Sequence, residues 1–264
     1  MVDTTAPRVP LIREPRLLKI ASVVVLVVGW HVAAVLAGPL ALPTPYDTVL
    51  ALVHTYTEDD LLTAVWETAW IFAIGFLLAV SAGVLTGLIT GYFRTLGAVF
   101  DVVLDVFIAI PVVALIPLVV VWQGLTTTTQ LIVVFLSTFF PIVVNTQTGV
   151  HTLDRTLRAV GVVFARDRLH QFTGIVFPAA IPSIAAGIRI GVGRAIIGVF
   201  VAELFTAATG LGARMQYYST YFQTDRYFAA LVSFVAIAML ASVFSSAATR
   251  RWTRPQVRGG VDPD

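Results

Sequence analysis

Apolar positions in this chain come in long unbroken runs rather than in alternation, and the polar residues between them are few. Six runs, 20–36, 69–90, 102–122, 130–148, 181–205 and 227–246, approach the length a helix needs to cross a bilayer. About 20 apolar residues span a hydrocarbon layer of roughly 30 Å, and lipid offers unpaired backbone groups no partner, so each run predicts a helix. The fold class that follows is an all-α membrane protein with six transmembrane helices. Two runs are flawed. Pro111 and Pro117 interrupt the third, while Arg189, Arg194 and Glu203 interrupt the fifth, which predicts kinks, partial unwinding or contact with protein and water there.

Between the fourth and fifth runs lies the interval 149–180, the longest on its side of the six-span arrangement. Leu153, Leu157, Val160 and Phe164 recur at helical spacing, and Asp154, Arg155 and Arg158 lie off that stripe, which predicts a short amphipathic helix. A turn at Arg166-Asp167-Arg168 follows, then a second apolar run over 169–177 that Pro178 and Pro182 are expected to end. Such a helix either lies on the membrane surface, its arginines meeting anionic headgroups, or docks a partner.

Composition removes the competing classes. Of 264 residues, 58% are apolar and 12% charged, with a mean hydropathy of +0.89, too little charge to clothe a water-soluble particle of this size. Without cysteine there is no disulfide framework, thiolate metal site or redox pair, and a net charge of +2 does not suggest nucleic acid.

Charge placement sets the topology. One side of the six-span arrangement holds thirteen cations: Arg8, Arg13, Arg16, Lys19, Arg94, Arg155, Arg158, Arg166, Arg168, Arg250, Arg251, Arg254 and Arg258. The other side holds two, Arg214 and Arg226. Basic residues near span ends stay on the cytoplasmic side, so both termini are expected there, and the acidic run Glu58-Asp59-Asp60 falls outside with nothing to oppose it. The first run is longer than the roughly 7–15 residues of a signal-peptide core, which favours a span over a leader cleaved near Ala37. The expected organisation is one transmembrane domain, 16–251, between disordered tails 1–15 and 252–264.

Several residues carry candidate chemistry. Gly83, Gly87 and Gly91, and again Gly187 and Gly191, repeat at four-residue spacing and bare a helix face for close approach, expected within one subunit rather than at a dimer seam. Asn145, Arg194 and Glu203 lie in or near apolar runs, where polar groups face a cavity or a partner. For Glu203 a pathway role and a structural ion pair stand level. His31 reads as a packed residue, and no second ligand stands at metal spacing. No phosphate-binding loop, His-Glu-x-x-His pair or Gly-x-Ser-x-Gly turn is present, so any work done draws its energy from another chain.

A series of short segments adds a resemblance. In order these are Leu42-Pro43-Thr44-Pro45, Asp101, Ile110-Pro111, Leu115-Ile116-Pro117-Leu118, Phe140-Pro141 through Asn145-Thr146, and Gly149-Val150. Phe177-Pro178-Ala179-Ala180-Ile181-Pro182, Gly187-Ile188-Arg189, Val201-Ala202-Glu203 and Gly210-Leu211-Gly212 complete it. Over about 42–213 the chain resembles the permease subunits of binding-protein-dependent ABC importers, nearest the sulfonate, nitrate and taurine branch.

The resemblance implies a type I importer-like fold in which 149–180 is the coupling loop gripped by a cytoplasmic ATPase. Leu157, Ala159, Val160, Gly161, Phe164, Ala165, Arg168 and Pro178 are then the coupling residues, and Asn145, Arg194 and Glu203 the path residues. The family's loop carries Glu-Ala-Ala and a later Gly where this chain has Ala159-Val160-Gly161 and Ala165. Implied partners are ABC ATPase subunits, an extracytoplasmic solute-binding protein, membrane lipid and a second permease. The pair is a homodimer by default, and the missing carboxylate leaves room for a heterodimer. The chain needs no cofactor of its own, since the ATPase binds ATP. The solute expected is a small anion, with a pyrimidine vitamin precursor as the alternative. A lipid-modifying enzyme using His151, Asp154 and His170, or a passive channel, is the rival from another class.

Overall fold

The computed structural model describes residues 15–153 and 167–250, and among these every regular element is helical. The tails 1–14 and 251–264, and residues 154–166 of the 149–180 interval, lie outside the described residues. The elements are α1 (Pro15–Ala37), α2 (Pro45–Thr57), α3 (Leu61–Tyr92), α4 (Arg94–Ala109), α5 (Val112–Gln123) and α6 (Thr127–His151). After the loop come α7 (Arg168–Gln171), a π-helical turn (Phe172–Val176), α8 (Phe177–Thr206), α9 (Gly210–Thr220) and α10 (Thr224–Arg250). Five of these helical stretches are long and apolar enough to cross a membrane, and α4 with α5 makes a sixth if the bent pair counts as one span.

The third apolar run is not one helix. Axes of α4 and α5 meet at 94° around Ile110 and Pro111. Proline pushes the residue before it out of the helical region, and Ile110 accordingly sits extended at ψ 121°. Pro117 is held inside α5 without a break.

The expected stop at Pro178 and Pro182 also fails. The helical path runs on from Arg168 to Thr206. Immediately before Pro178 the turn widens, and the Phe177 N–H donates to the Phe172 carbonyl five residues back. A widened turn absorbs the ring and the missing donor, so the helix bends its hydrogen-bond pattern instead of ending.

Helix α6 is the hub, packed against α3 on one side and α8 on the other. Both faces are made by glycine. Along α3, Gly75, Gly83, Gly87 and Gly91 meet Val134, Ile142, Thr146 and Val150 of α6 in turn. A Cβ at Gly87 would stand 2.6 Å from Thr146 Cβ and 2.7 Å from the Val143 carbonyl oxygen, so even alanine does not fit. From α8, Gly187 meets Asn145, Gly191 meets Ile142, and Gly198 meets Ser137. Lipid gives helices no hydrophobic reason to associate, and close backbone approach replaces it. The small-residue stripes are therefore contacts within one chain.

Helix α1 stands at the periphery, with most of its valines and leucines on the surface where lipid would lie. It is tied back by the Trp30 Nε1–H donating to the Pro43 carbonyl at 3.0 Å and by Trp30 stacking on Phe228. The Leu-Pro-Thr-Pro segment is a helix start. Thr44 caps α2, accepting from the Asp47 N–H at 3.1 Å while Asp47 accepts from the Thr44 N–H, and Pro45 occupies the first turn. Helices α2 and α9, too short to span a bilayer, left no signal in the reading of apolar runs.

Candidate translocation and coupling sites

The α4–α5 break opens a cavity of about 260 Å³ against α6 and α8. Phe107, Pro111, Val133, Pro141 and Ile197 give it mostly apolar walls, with the polar exceptions Ser137 and Arg194. Arg194 is the one charged lining residue; it is exposed, and it has neither a hydrogen bond nor an ion pair among the described residues. Ser137 spends its hydroxyl proton on backbone carbonyls of its own helix, Val133 at 2.8 Å and Val134 at 3.0 Å. Pro141, a turn further on, has no N–H to offer the Ser137 carbonyl.

The other two path candidates sit elsewhere. Asn145 Nδ2 donates to the Pro141 carbonyl at 2.7 Å, and its Cβ is wedged against Gly187 in the α6–α8 joint. Glu203 has no exposed surface at all. Its Oε2 accepts from Thr68 Oγ1 at 3.0 Å and from the Gly212 N–H at 2.9 Å. The first amides of α9 are all taken up this way. Gly210 N–H donates to Glu67 Oε2 at 2.8 Å and Leu211 N–H to Thr68 Oγ1 at 2.9 Å.

A helix N-terminus presents unpaired N–H groups and the positive end of its dipole, and here two carboxylates and a threonine satisfy them. Gly210 is required by its φ of +88° and because a Cβ there would collide with the Glu203 carboxylate. This explains the Gly210-Leu211-Gly212 segment physically. Gln130 completes the knot, donating to Thr206 Oγ1 at 2.8 Å and accepting from Thr209 Oγ1 at 3.1 Å. Sequence reasoning missed Thr68, Gln130 and Thr209; Gln130, a fully buried amide opening an apolar run, was the one available signal.

At the same end of α3, Asp59 is opposed after all. Arg226 Nη1 lies 2.9 Å from Asp59 Oδ2, and the Tyr218 hydroxyl donates to the same oxygen at 3.4 Å. The expectation of an unopposed acidic run missed this because Asp59 lies 159 positions from Tyr218 and 167 from Arg226. Burial, and then the Asp59 carboxylate, push the Tyr218 phenol above its ordinary range.

On the coupling side, Leu157, Ala159, Val160, Gly161, Phe164 and Ala165 lie outside the described residues. Arg168 opens α7 and is exposed, behind Asp167, whose Oδ1 accepts from the His170 N–H at 2.7 Å. Pro178 lies exposed at the start of α8. Asp101 of α4 accepts from Gln147 Nε2 at 2.7 Å, pinning α4 to the loop end of α6. His151 ends α6 and His170 lies in α7, while Asp154 is outside the described residues; among those described, no cluster could hold a metal ion.

Comparison with known proteins follows the same lines. Residues 61–259 match the family described as binding-protein-dependent transport system inner membrane component. A probable ABC transporter permease protein of Brucella abortus is 32% identical over 242 residues, covering 91% of this chain and 96% of the relative. The taurine transport system permease protein of Escherichia coli is 28% identical over 252 residues, 93% and 92% of the two chains. The formylaminopyrimidine transport permease protein of Halalkalibacterium halodurans is 31% identical over 188 residues, 71% and 75%. With apolar helices of spanning length, a broken third span and a glycine-knit core, the chain belongs to the inner-membrane components of binding-protein-dependent transport systems, the multi-pass permease subunits of ABC transporters.

Proposed function

We propose that this chain is half of the translocation path of an ATP-driven importer. A binding protein outside the membrane hands over a small solute. Paired cytoplasmic ATPases close on ATP, grip the 149–180 loop and swing the α3–α6–α8 core between outward-open and inward-open states. Both termini and the loop then lie in the cytoplasm, as the placement of the cations supports. A second copy of the chain completes the path, since symmetric pairs dominate oligomers.

The observation that carries this reading is the family match across 61–259, which takes in the helices that wall the cavity and the coupling loop together. The solute is a small anion of the sulfonate kind, supported by the taurine permease as a relative over nearly the whole chain. A formylaminopyrimidine-like solute is the second reading, favoured by the relative from Halalkalibacterium. The test is to purify the complex from its host and reconstitute it in vesicles with its binding protein. A nucleotide-binding chain co-purifying, with uptake of taurine that needs ATP, is the expected result. Transport by this chain alone, or a loop accessible from outside the cell, would overturn the reading.

A further inference from the structure

Arg194 sits near the middle of α8, where a charge in lipid is costly unless it is paired or wetted. Nothing among the described residues pairs it. Glu203, the carboxylate on the same helix, is committed to Thr68 and Gly212 and does not line the cavity. The cavity that Arg194 faces has no Asp or Glu in its wall. We propose that this cavity is an oxyanion subsite of the path, with Arg194 as the cation that selects for a sulfonate or similar headgroup.

The inference rests on the permease reading and names the residue that sets its solute class. Apolar walls lower the local dielectric, which strengthens attraction between a guanidinium and an anion and gives a neutral solute no such gain. A planar guanidinium matches the paired oxygens of an oxyanion better than an ammonium does. The break between α4 and α5 adds to this. Val112 and Val113, in the first turn of α5, line the same cavity, and no side chain caps that turn, so its N–H groups and positive dipole end add to the field of Arg194. About 260 Å³ admits a small organic acid and excludes a drug-sized molecule.

The absence of native cysteine makes a direct test possible. In the assembled transporter, Ser137→Cys and separately Ile197→Cys place a single thiol of this subunit on the cavity wall. Each is reacted with sulfonatoethyl methanethiosulfonate, itself an alkyl sulfonate, and with its trimethylammonium counterpart. Rates are read as the mass shift of this subunit and corrected for the two reagents' reactivity with a free thiol. The anionic reagent should react faster, and the ratio should fall about tenfold when Arg194→Gln is added while Arg194→Lys largely keeps it. A ratio at or below one with Arg194 present, an unchanged ratio in Arg194→Gln, or thiols unreactive at both positions would overturn the proposal. ATP-driven uptake by the unsubstituted complex is measured alongside. A complex that keeps the charge ratio but transports nothing contradicts the permease reading and leaves the subsite standing.

Discussion

Glu203 and Arg194 share a helix and an apolar stretch of sequence, yet they do opposite things. Glu203 is enclosed and bonded to the Gly212 amide of α9 and to Thr68, so its carboxylate supplies part of the cap that α9 lacks in its own sequence. Thr209 precedes that helix but makes no side-chain cap, because its hydroxyl is turned to Gln130. Removing the carboxylate leaves Thr68 and Gly212 facing nothing. Glu203→Ala is therefore expected to destabilise the purified subunit by about 2–4 kcal/mol, with Glu203→Gln costing less because one oxygen remains. Thermal unfolding in detergent checks this, and a Glu203→Ala midpoint equal to the native one would contradict it. Nothing near Glu203 in sequence announces these partners: Thr68 lies 135 positions away.

Among the elements, the α3–α6–α8 sandwich shows what repeated glycine achieves in lipid. The stripes at Gly83, Gly87, Gly91 and at Gly187, Gly191 were legible as faces meant for close approach, but a repeat does not say which helix approaches. Packing answered it, since Thr146, Val150 and Ile142 fill the grooves from the one helix between them. Gly87→Ala should cost about 1–3 kcal/mol by forcing α3 off α6. Gly193→Ala, on α8 with nothing within 4 Å, should leave stability unchanged or raise it by up to about 1 kcal/mol. Comparing the two by unfolding midpoint and by monodispersity on gel filtration separates a steric effect from loss of helix-breaking glycine alone. Prolines were harder to read than glycines. Pro111 broke its helix and Pro178 did not, because a widened turn before Pro178 had the room to absorb the defect.

For the whole molecule, the proposed function requires a partner to act on the 149–180 loop. The apolar stripe of Leu157, Val160 and Phe164 was derived from spacing alone, and those residues lie outside the described ones. Replacing Phe164 by Asp puts a charge on the proposed docking face. ATP hydrolysis by the complex is expected to continue while uptake falls at least tenfold, with the membrane fold intact by gel filtration and proteolysis; unchanged uptake would remove the docking role. The end of the bundle at the start of α3 carries its own long-range ties, in Asp59 with Arg226 and in the amides of α9, and these join α3, α8, α9 and α10 where the sequence showed only isolated charges.

The sequence by itself determined that the chain is helical, lives in a membrane and crosses it several times, because hydrophobic run length is a local property with one answer in lipid. It also determined the order of motifs that marks the family. Only the tertiary structure decided that the third run is two helices at 94°, that the glycine stripes face inward, and that of three polar candidates one lines a cavity while two hold helices together. The last two outcomes depend on which distant residue comes into contact, and contact between residues far apart in the chain is fixed by packing, not by any local pattern.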